Sequence, residues 1–357
     1  MTVSQKGDLV FAAPGDLDTP TGGFAYDKRM IAELRALGWR ADYLNLGDGF
    51  PHPDALTRAA ARAHLLDVPK GRPIVVDGLA FGVLPEAAEA LSRTHPLVAL
   101  VHHPLALETG TTPDQATALR GSERTALSFA RNVIANSPLT ARTLMADYAV
   151  PQARITIAPP GTDRPSVARR NSARPGTPVA LLTVGAIVPR KGHDVLAEAL
   201  ATLIDLPWRL TIVGDCSRDP ACVGRLRRAI EAFRLGPRVT IEDATPTQRL
   251  AALYAAADLF VLASHYEGFG MAYAEAIAYG LPVVGTTGGA IPDTVPASAG
   301  VLVPPGDAVS LAAALRALLE HPAEREQLAA GARAAAQLLP TWRGSAELFS
   351  HAIEGAL

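Results

Sequence analysis

Cysteine is nearly absent from this 357-residue chain, which contains Cys216 and Cys222 and no others. Two cysteines at this spacing are too few for a structural zinc site or a disulfide framework. The formal net charge is only −2, so no overall attraction to nucleic acid or to anionic lipid is expected. The composition therefore predicts a protein of a reducing compartment that has no nucleic acid partner.

Long apolar runs are also missing from the sequence. No segment approaches the roughly 20 apolar residues that a membrane-spanning helix needs, and the first residues lack the basic-then-apolar pattern of a signal peptide. A predicted helix over 24–37 is weakly basic, but this is too little to indicate binding at a membrane surface. These absences predict a soluble, cytoplasmic protein, and peripheral membrane contact has no support in the sequence.

The chain does have a repeated alternation of short apolar runs and helical segments, with 48% hydrophobic residues. This alternation predicts a doubly wound α/β fold built around parallel sheets. The first series of predicted strands lies at residues 9–13, 41–46, 74–77, 97–102, 133–135 and 154–158. The second series lies at 179–184, 210–213, 239–242, 259–263, 282–285 and 300–303.

The periodic pattern breaks once, between the two series of strands. Residues 165–178 are dense in Pro, Gly, Ser and Arg, which is the composition of an interdomain linker. We therefore predict one domain over 1–164 and a second over 179–339. A cleft between two such domains is a natural place for a ligand.

Glycines and histidines follow predicted strands of the first series, at the edge where open α/β sheets bind ligands. Gly22 and Gly23 open a helix whose first N–H groups suit a phosphate, although their loop lacks the Gly-x-Gly-x-x-Gly and P-loop signatures. His102 and His103 end a strand and could serve as donors or as acid–base groups. The glycines could equally form a plain connecting turn, and either histidine could simply bond a backbone carbonyl.

Charged residues occupy the corresponding edge of the second series. Arg190 and Lys191 follow its first strand, where two adjacent cations can neutralise a diphosphate. Considered alone, such a pair is more typical of a solvated surface. Glu267 lies in the loop after the fourth strand, and Glu275 lies inside the next helix, where by itself it could simply face solvent.

The two glutamates form a Glu-x7-Glu motif, Glu267-Gly-Phe-Gly-Met-Ala-Tyr-Ala-Glu275, and with this motif most of the chain resembles a known family. It is similar to the retaining glycosyltransferases of the GT-B fold in family four, the glycosyl transferases group 1. The secondary matches are Val184-Gly-Ala-Ile-Val-Pro-Arg-Lys-Gly192, Ile212-Val-Gly-Asp215, Asn136-Ser137, Pro159-Pro-Gly-Thr-Asp163 and Gly22-Gly23. The chain departs from the family in having Asp293 where many members carry Glu, and in its doubled histidine.

The resemblance implies a GT-B architecture of two Rossmann-like domains that face an interdomain cleft. The first domain would bind the acceptor, and the second would bind the nucleotide-sugar donor. The last helix, within 340–357, would cross back to the first domain. Trp342 would suit an anchor at that crossing, although a simple core position explains this aromatic equally well.

The resemblance also implies roles for the candidate residues. Arg190 and Lys191 would hold the diphosphate, Glu275 the ribose hydroxyls and Glu267 the sugar hydroxyls near the transferring carbon. His102 best matches the family's strand-tip histidine, with His103 as the alternative contact to the donor. The remaining donor-binding candidates are backbone positions in the same loops, namely Gly22, Gly23, Gly185, Gly268, Phe269, Gly270, Met271 and Ala272.

The expected function is transfer of a hexose-type sugar, with retention, from a nucleotide-diphosphate-sugar to an unidentified glycan, lipid or small molecule. No Asp-x-Asp motif accompanies the residues expected at the diphosphate, so neither a metal nor any other cofactor is expected. A front-face reaction, in which the leaving phosphate takes the acceptor proton, is favoured over a covalent intermediate. The alternatives are a GT-B nucleotide-sugar epimerase and a non-catalytic subunit that only binds the nucleotide-sugar.

Overall fold

The computed structural model of the protein describes residues 6–19, 21–108, 110–165, 167 and 177–357. The chain separates into two compact units, one made of Met1–Gly161 with Pro340–Leu357 and the other of Thr162–Leu339. Most of the predicted linker, 165–178, lies outside the described residues. Each unit is built on one six-stranded sheet, and all the strand pairs in both sheets are parallel.

The first unit alternates strands and helices along the chain. Its strands are β1 (Gly7–Ala13), β2 (Trp39–Asn45), β3 (Ile74–Asp77), β4 (Leu97–Val101), β5 (Asn132–Ala135) and β6 (Ile155–Ile157). They are ordered β2-β1-β3-β4-β5-β6. The helices between them are α1 (Gly22–Ala36), α2 (Ala55–Leu66), α3 (Gly78–Phe81), α4 (Pro85–Ser92), α5 (Pro113–Phe129) and α6 (Pro138–Tyr148).

The second unit repeats this plan with a different strand order. Its strands are β7 (Val179–Val184), β8 (Trp208–Val213), β9 (Val239–Glu242), β10 (Leu259–Val261), β11 (Val283–Thr286) and β12 (Gly300–Val303). They are ordered β12-β11-β10-β7-β8-β9. Its helices are α7 (His193–Ala201), α8 (Pro220–Ala232), α9 (Thr247–Ala256), α10 (Met271–Ala278), α11 (Ile291–Thr294), α12 (Ala308–Glu320) and α13 (Pro322–Ala336).

The predicted α/β class and all twelve predicted strands are confirmed. The central strands β3, β4 and β10 are buried along their whole length, because helices cover both faces of a doubly wound parallel sheet. Continuous apolar runs are therefore a reliable signal for these strands. The strand ends moved by one or two residues at several places, which is the usual uncertainty at element boundaries.

Helix α1 begins two residues earlier than the sequence predicted. Thr21 is its N-cap, and the Thr21 hydroxyl accepts a hydrogen bond from the Phe24 N–H at 3.2 Å. A threonine in this role satisfies one of the N–H groups that have no partner within the first turn. Gly22 and Gly23 are consequently the first two residues of the helix and not part of the loop before it.

The last helix, α14 (Trp342–Glu354), belongs to the first unit. Trp342 is buried and its ring lies 5.9 Å from that of Tyr26 in α1. Gly161 approaches so closely that an added Cβ would lie 2.1 Å from the Trp342 backbone nitrogen. The tryptophan is therefore packed at the point where the chain leaves the first unit and returns to it.

Within the described residues, no helix combines the length and the apolar character that crossing a membrane requires.

Candidate functional site

The strand order of the second unit reverses between β7 and β10, which are neighbours in its sheet. Ligands of open α/β sheets bind outside the carboxyl ends of the strands at such a reversal. The loop after β7 contains the short 3₁₀ turn Pro189–Lys191, and the loop after β10 contains Glu267. The topology thus brings together two charged segments that lie far apart in the sequence.

Arg190, Lys191 and Glu267 form a compact charged group, here called the cationic cluster. The Arg190 guanidinium contacts Glu267 Oε2 at 2.9 Å, and the Lys191 ammonium contacts Oε1 at 2.6 Å. The Ser264 hydroxyl also donates to Oε1 at 2.6 Å. Burial alone would raise the pKa of Glu267, but the charges of Lys191 and Arg190 outweigh burial and lower it to about 2.

Burial has the larger influence on the cationic partner: it lowers the pKa of Lys191, and the Glu267 carboxylate opposes that change. The cluster carries two positive groups and one negative group, so its formal balance is positive. Half-buried cations beside a sheet edge are suited to a phosphate group, because low exposure to solvent strengthens each electrostatic contact.

Glycine at position 192 allows the two loops to meet. Gly192 has φ 62°, in the left-handed region, and a Cβ on it would lie 2.1 Å from the Ala263 carbonyl oxygen. The loops are also joined by a hydrogen bond of 2.8 Å from the His265 N–H to the Arg190 carbonyl. No other residue type fits this backbone without displacement, so Gly192 helps to hold the cationic cluster together.

Glu275 lies on α10, half-buried, eight positions after Glu267. Its Oε2 accepts a hydrogen bond of 2.8 Å from the Tyr254 hydroxyl. Burial raises the pKa of Glu275, while the bond from Tyr254 opposes that rise. A carboxylate that keeps one oxygen available beside a fixed donor can accept hydroxyl groups of a ligand.

The start of α10 offers backbone N–H groups next to these side chains. Gly270 is its N-cap, with φ 95° in the left-handed region, and the first turn contains Met271 and Ala272. Phe269 accepts a hydrogen bond from the Thr294 hydroxyl, and Gly268 is half-buried in the preceding loop. The first N–H groups of a helix have no partner within it and favour negative ligand groups.

Gly185, the last backbone candidate of this unit, lies directly after β7. A Cβ at this position would be 3.1 Å from Cε of Lys191. The lysine side chain therefore runs across the glycine backbone, which contributes to the position of its ammonium group.

The first unit has a comparable reversal, between β1 and β3. At this edge His102, directly after β4, lies between two carboxylates. Its Nε2 is 3.1 Å from Asp27 Oδ1 and 3.3 Å from Asp77 Oδ2. Gly23 packs against the same imidazole, since a Cβ there would lie 3.5 Å from His102 Cδ2. Asp27, Asp77 and His102 are called the acid–imidazole cluster below.

The two neighbouring histidines have different partners. His103 Nε2 is 2.7 Å from Glu108 Oε1, whereas His102 faces Asp27 and Asp77. Only His102 of the two is thus part of the acid–imidazole cluster. Which of them contacts a donor stays a prediction.

Among the residues that the structure describes, one group of three side chains could reach a metal ion, and it is the acid–imidazole cluster. The separation of 3.1 Å between His102 and Asp27 is a hydrogen-bond distance, which accounts for their proximity without an ion. An Asp-x-Asp sequence does occur in this unit, at Asp16 and Asp18. There Asp18 pairs with Lys28 and its N–H bonds Asp16 Oδ1 at 2.9 Å.

Comparison with known proteins shows which family this part of the chain resembles. Residues 166–335 match the family described as glycosyl transferases group 1. The match lies within the second unit, which is thus similar to the members of this family. The match contains both loops of the cationic cluster and all of α10, so the predicted family is confirmed in the unit that carries the Glu-x7-Glu motif.

Curated relatives have the name D-inositol 3-phosphate glycosyltransferase. The protein of Thermomonospora curvata is 34% identical over 248 residues, covering 64% of this chain and 57% of the relative. That of Nocardioides sp. is 34% identical over 286 residues, covering 72% of this chain and 62% of the relative. The aligned part of the chain thus spans less than two thirds of the length of these relatives.

Solved structures show the same fold at low sequence identity. Sucrose-phosphate synthase from Thermosynechococcus elongatus has a TM-score of 0.79 at 23% identity, covering 96% of this chain and 98% of that one. HepE from Anabaena, in complex with UDP and glucose, has a TM-score of 0.76 at 19% identity, covering 96% and 99%. The predicted GT-B fold is confirmed, while the expected cleft between the domains stays a prediction.

Four polar residues of these sites were missed from the sequence, although two of them left a signal there. Asp77 is the last residue of a fully buried strand, a place where a carboxylate indicates a ligand edge. Asp27 lies on the apolar face of α1, in register with buried residues three, four and seven positions later. Ser264 and Tyr254 left no comparable signal: Ser264 lies in an irregular loop with its partner Glu267, and Tyr254 lies on α9, whereas its partner Glu275 lies on α10.

Proposed function

We propose that this protein is a retaining glycosyltransferase of the glycosyl transferases group 1, which moves a hexose-type sugar from a nucleotide-diphosphate-sugar to an acceptor. The observation that carries the proposal is the cationic cluster at the strand-order reversal of the second unit. The two positive charges of Arg190 and Lys191 exceed the single negative charge of Glu267, so the cluster can bind the diphosphate that leaves during transfer.

The chemistry explains why such a cluster accelerates sugar transfer. Breaking the bond between sugar and phosphate places negative charge on the diphosphate, and pre-positioned cations stabilise that charge without further reorganisation. Arg190 would bind phosphate oxygens as a planar fork and Lys191 as a compact charge. The first N–H groups of α10 would add to this stabilisation, and we propose that no metal ion is needed.

Glu267 is better suited to binding a sugar than to attacking it. Its Oε1 is engaged by Lys191 and Ser264 and its Oε2 by Arg190. A carboxylate with such partners, and with a pKa lowered to about 2, is stabilised as an anion and is a weak nucleophile. This supports a front-face reaction in which the leaving phosphate takes the acceptor proton.

Glu275 is proposed to bind the ribose of the donor. Its bond from Tyr254 fixes the orientation of the carboxylate, and ribose hydroxyls are donors that a carboxylate accepts. UDP-hexoses are the first donors to test, because HepE was solved with UDP and glucose. Inositol 3-phosphate is the first acceptor to test, because the curated relatives are named for it.

The donor is identified by thermal shift against uridine, guanosine and adenosine diphosphate sugars, since a ligand that binds the folded state raises its apparent stability. With that donor, nucleotide release is then measured for the unaltered chain, Lys191→Ala and Glu275→Ala. Lys191→Ala is expected to lower turnover about 10²–10³-fold, as for the loss of one oxyanion-type donor. Arg209→Ala, which removes an exposed arginine of β8, is the matched control.

Each alternative function has a distinct result in the same assay. Turnover that is unchanged in both variants would contradict the site, and release of a free epimerised sugar without any use of acceptor would indicate an epimerase. Donor binding without turnover under any acceptor would indicate a binding subunit. Loss of turnover on adding a chelator, restored by Mg²⁺ or Mn²⁺, would contradict metal independence.

A further inference from the structure

The acid–imidazole cluster of the first unit contains two aspartates that have no role in the function proposed above. Asp27 is 0% exposed and Asp77 is 1% exposed. They come from α1 and from the end of β3, and they meet at the imidazole of His102 after β4. Burying a carboxylate is costly unless an opposite charge or hydrogen bonds compensate it, so the pair needs an explanation.

The available partners of the two carboxylates are few. Asp77 Oδ1 accepts the Leu79 N–H at 2.9 Å, and Asp27 Oδ1 receives His102 Nε2 at 3.1 Å. The other oxygen of each has no hydrogen-bond partner within the described residues, although Asp77 Oδ2 lies 3.3 Å from His102 Nε2. No Lys or Arg of the described residues forms an ion pair with either carboxylate, which leaves the imidazole as the group that can compensate them.

The other groups around His102 are neutral or acidic. The Tyr26 ring packs edge-on against the imidazole, with 5.2 Å between the two ring centroids. The Tyr26 hydroxyl donates to the Ala158 carbonyl at 2.9 Å. From α6, the Thr140 hydroxyl donates to the His102 carbonyl at 3.4 Å. Burial, together with the charges of Asp27, Asp16, Asp77 and Asp48, raises the pKa of Tyr43 in β2 to about 12.

We propose that Asp27 and Asp77 are positioning residues that hold His102 as an imidazolium, with Nε2–H turned to the carboxylates and Nδ1–H kept as a donor to a substrate oxygen. The use of Nδ1 rests on the proposed glycosyltransferase function, for which the family resemblance implies that His102 contacts the donor. Since Nε2 is occupied at 3.1 Å from Asp27, Nδ1 is the ring nitrogen left for a ligand.

The charge state of the cluster follows from its surroundings. Burial by itself would lower the pKa of His102, but Asp27 and Asp77 raise it to about 10. Burial, with a contribution from Asp77, raises the pKa of Asp27 to about 6, and His102 opposes that rise. Near pH 8 the histidine is thus a proton donor and not a base.

The first test observes the imidazole directly and needs no substrate. Ring ¹⁵N shifts of His102 are followed from pH 5 to 9 by NMR, with His102→Gln for assignment. Imidazolium shifts are expected up to at least pH 8, against the ordinary midpoint near ~6.5. In Asp27→Asn the midpoint is expected to fall by at least two pH units, since the amide keeps the shape but not the charge.

Matched variants separate charge from folding. Asp8→Asn changes a more exposed aspartate at the start of β1, paired with Arg40, and is expected to leave the midpoint unchanged. If Asp27→Asn fails to fold, as judged by thermal unfolding, Asp77→Asn provides the same test. A midpoint near 6.5 in the unaltered chain, or a midpoint that neither substitution moves, would overturn the proposal.

The second test uses the pH profile of kcat. The unaltered chain is expected to show no loss attributable to His102 between pH 6 and 8. In Asp27→Asn, kcat is expected to fall about tenfold per pH unit above the new midpoint and to recover at lower pH, with KM for the donor unchanged. An equal loss at every pH would mean a purely structural role. The NMR result stands whether or not the chain transfers sugar, so the two proposals fail separately.

Discussion

The two clusters have opposite charge arrangements on the same kind of scaffold. In the second unit two cations surround one carboxylate, with Glu267 between Arg190 and Lys191. In the first unit two carboxylates surround one imidazole. Both lie at the carboxyl edge of a parallel sheet near its strand-order reversal. The same topological position therefore carries opposite charge arrangements, because the fold determines where the loops meet and the side chains determine the local charge.

Gly192→Ala is expected to produce the largest effect, because it breaks the scaffold of the cationic cluster alone. The new Cβ would meet the Ala263 carbonyl, and left-handed strain with overpacking should cost about 2–5 kcal/mol of folding stability. Donor binding should be lost with it, as measured by denaturant unfolding and thermal shift. Gly236→Ala is the control, since nothing lies within 4 Å of that Cβ.

If Gly192→Ala kept normal stability and donor affinity, the contact between the two loops would not be needed for the cationic cluster. The His102 titration in the other unit should be unaffected in either case.

An effect of intermediate size is expected at acidic pH, where the second unit should lose folding stability as Glu267 becomes protonated. The folded-state pKa of Glu267 is lowered to about 2 from 4.5, so its contribution is complete above about pH 4.5 and is lost as the pH falls towards 2. The corresponding stability is about 3 kcal/mol. Glu267→Gln should remove that pH dependence, measured by urea unfolding between pH 5 and 2.5.

The control for this experiment is Glu242→Gln, which removes an ion pair between Glu242 and the exposed Arg249. Surface pairs contribute little, so the acid profile of that variant should match the unaltered chain. An identical profile in Glu267→Gln would contradict the assigned ionisation of the cationic cluster.

Tyr254→Phe is expected to have the smallest effect, limited to the part of the second unit that contains Glu275. It removes the 2.8 Å bond to Glu275, which should weaken donor binding by about 1 kcal/mol, or roughly fivefold in Kd. Isothermal titration with the nucleoside diphosphate measures the change. Tyr43→Phe, whose hydroxyl donates to the Gly15 carbonyl in the first unit, is the matched control, and equal losses in both would argue against a specific role.

The elements and the candidate residues of the second unit could be predicted from the sequence. Buried parallel strands are continuous apolar runs, so β7 of this unit, like β3 of the first, matched its predicted bounds. The less buried strands β9 and β12 matched theirs as well. Glu267 lies in a loop and Glu275 in the helix that follows it, as predicted, because both elements are set by the local sequence. The roles of Arg190, Lys191 and Glu275 in binding a donor stay predictions.

The pairing of the charged residues could not be predicted from the sequence. Glu267 pairs with residues 76 and 77 positions away, and Asp27 meets His102 across 75 positions. Contacts between residues this far apart in the sequence depend on the strand order. Those of Glu267 also depend on the close approach of the Gly192 backbone to Ala263. A local sequence pattern predicts neither feature. The sequence shows which charged residues follow each strand. The balance of positive and negative charge in each cluster depends on which loops the strand order brings to the same sheet edge.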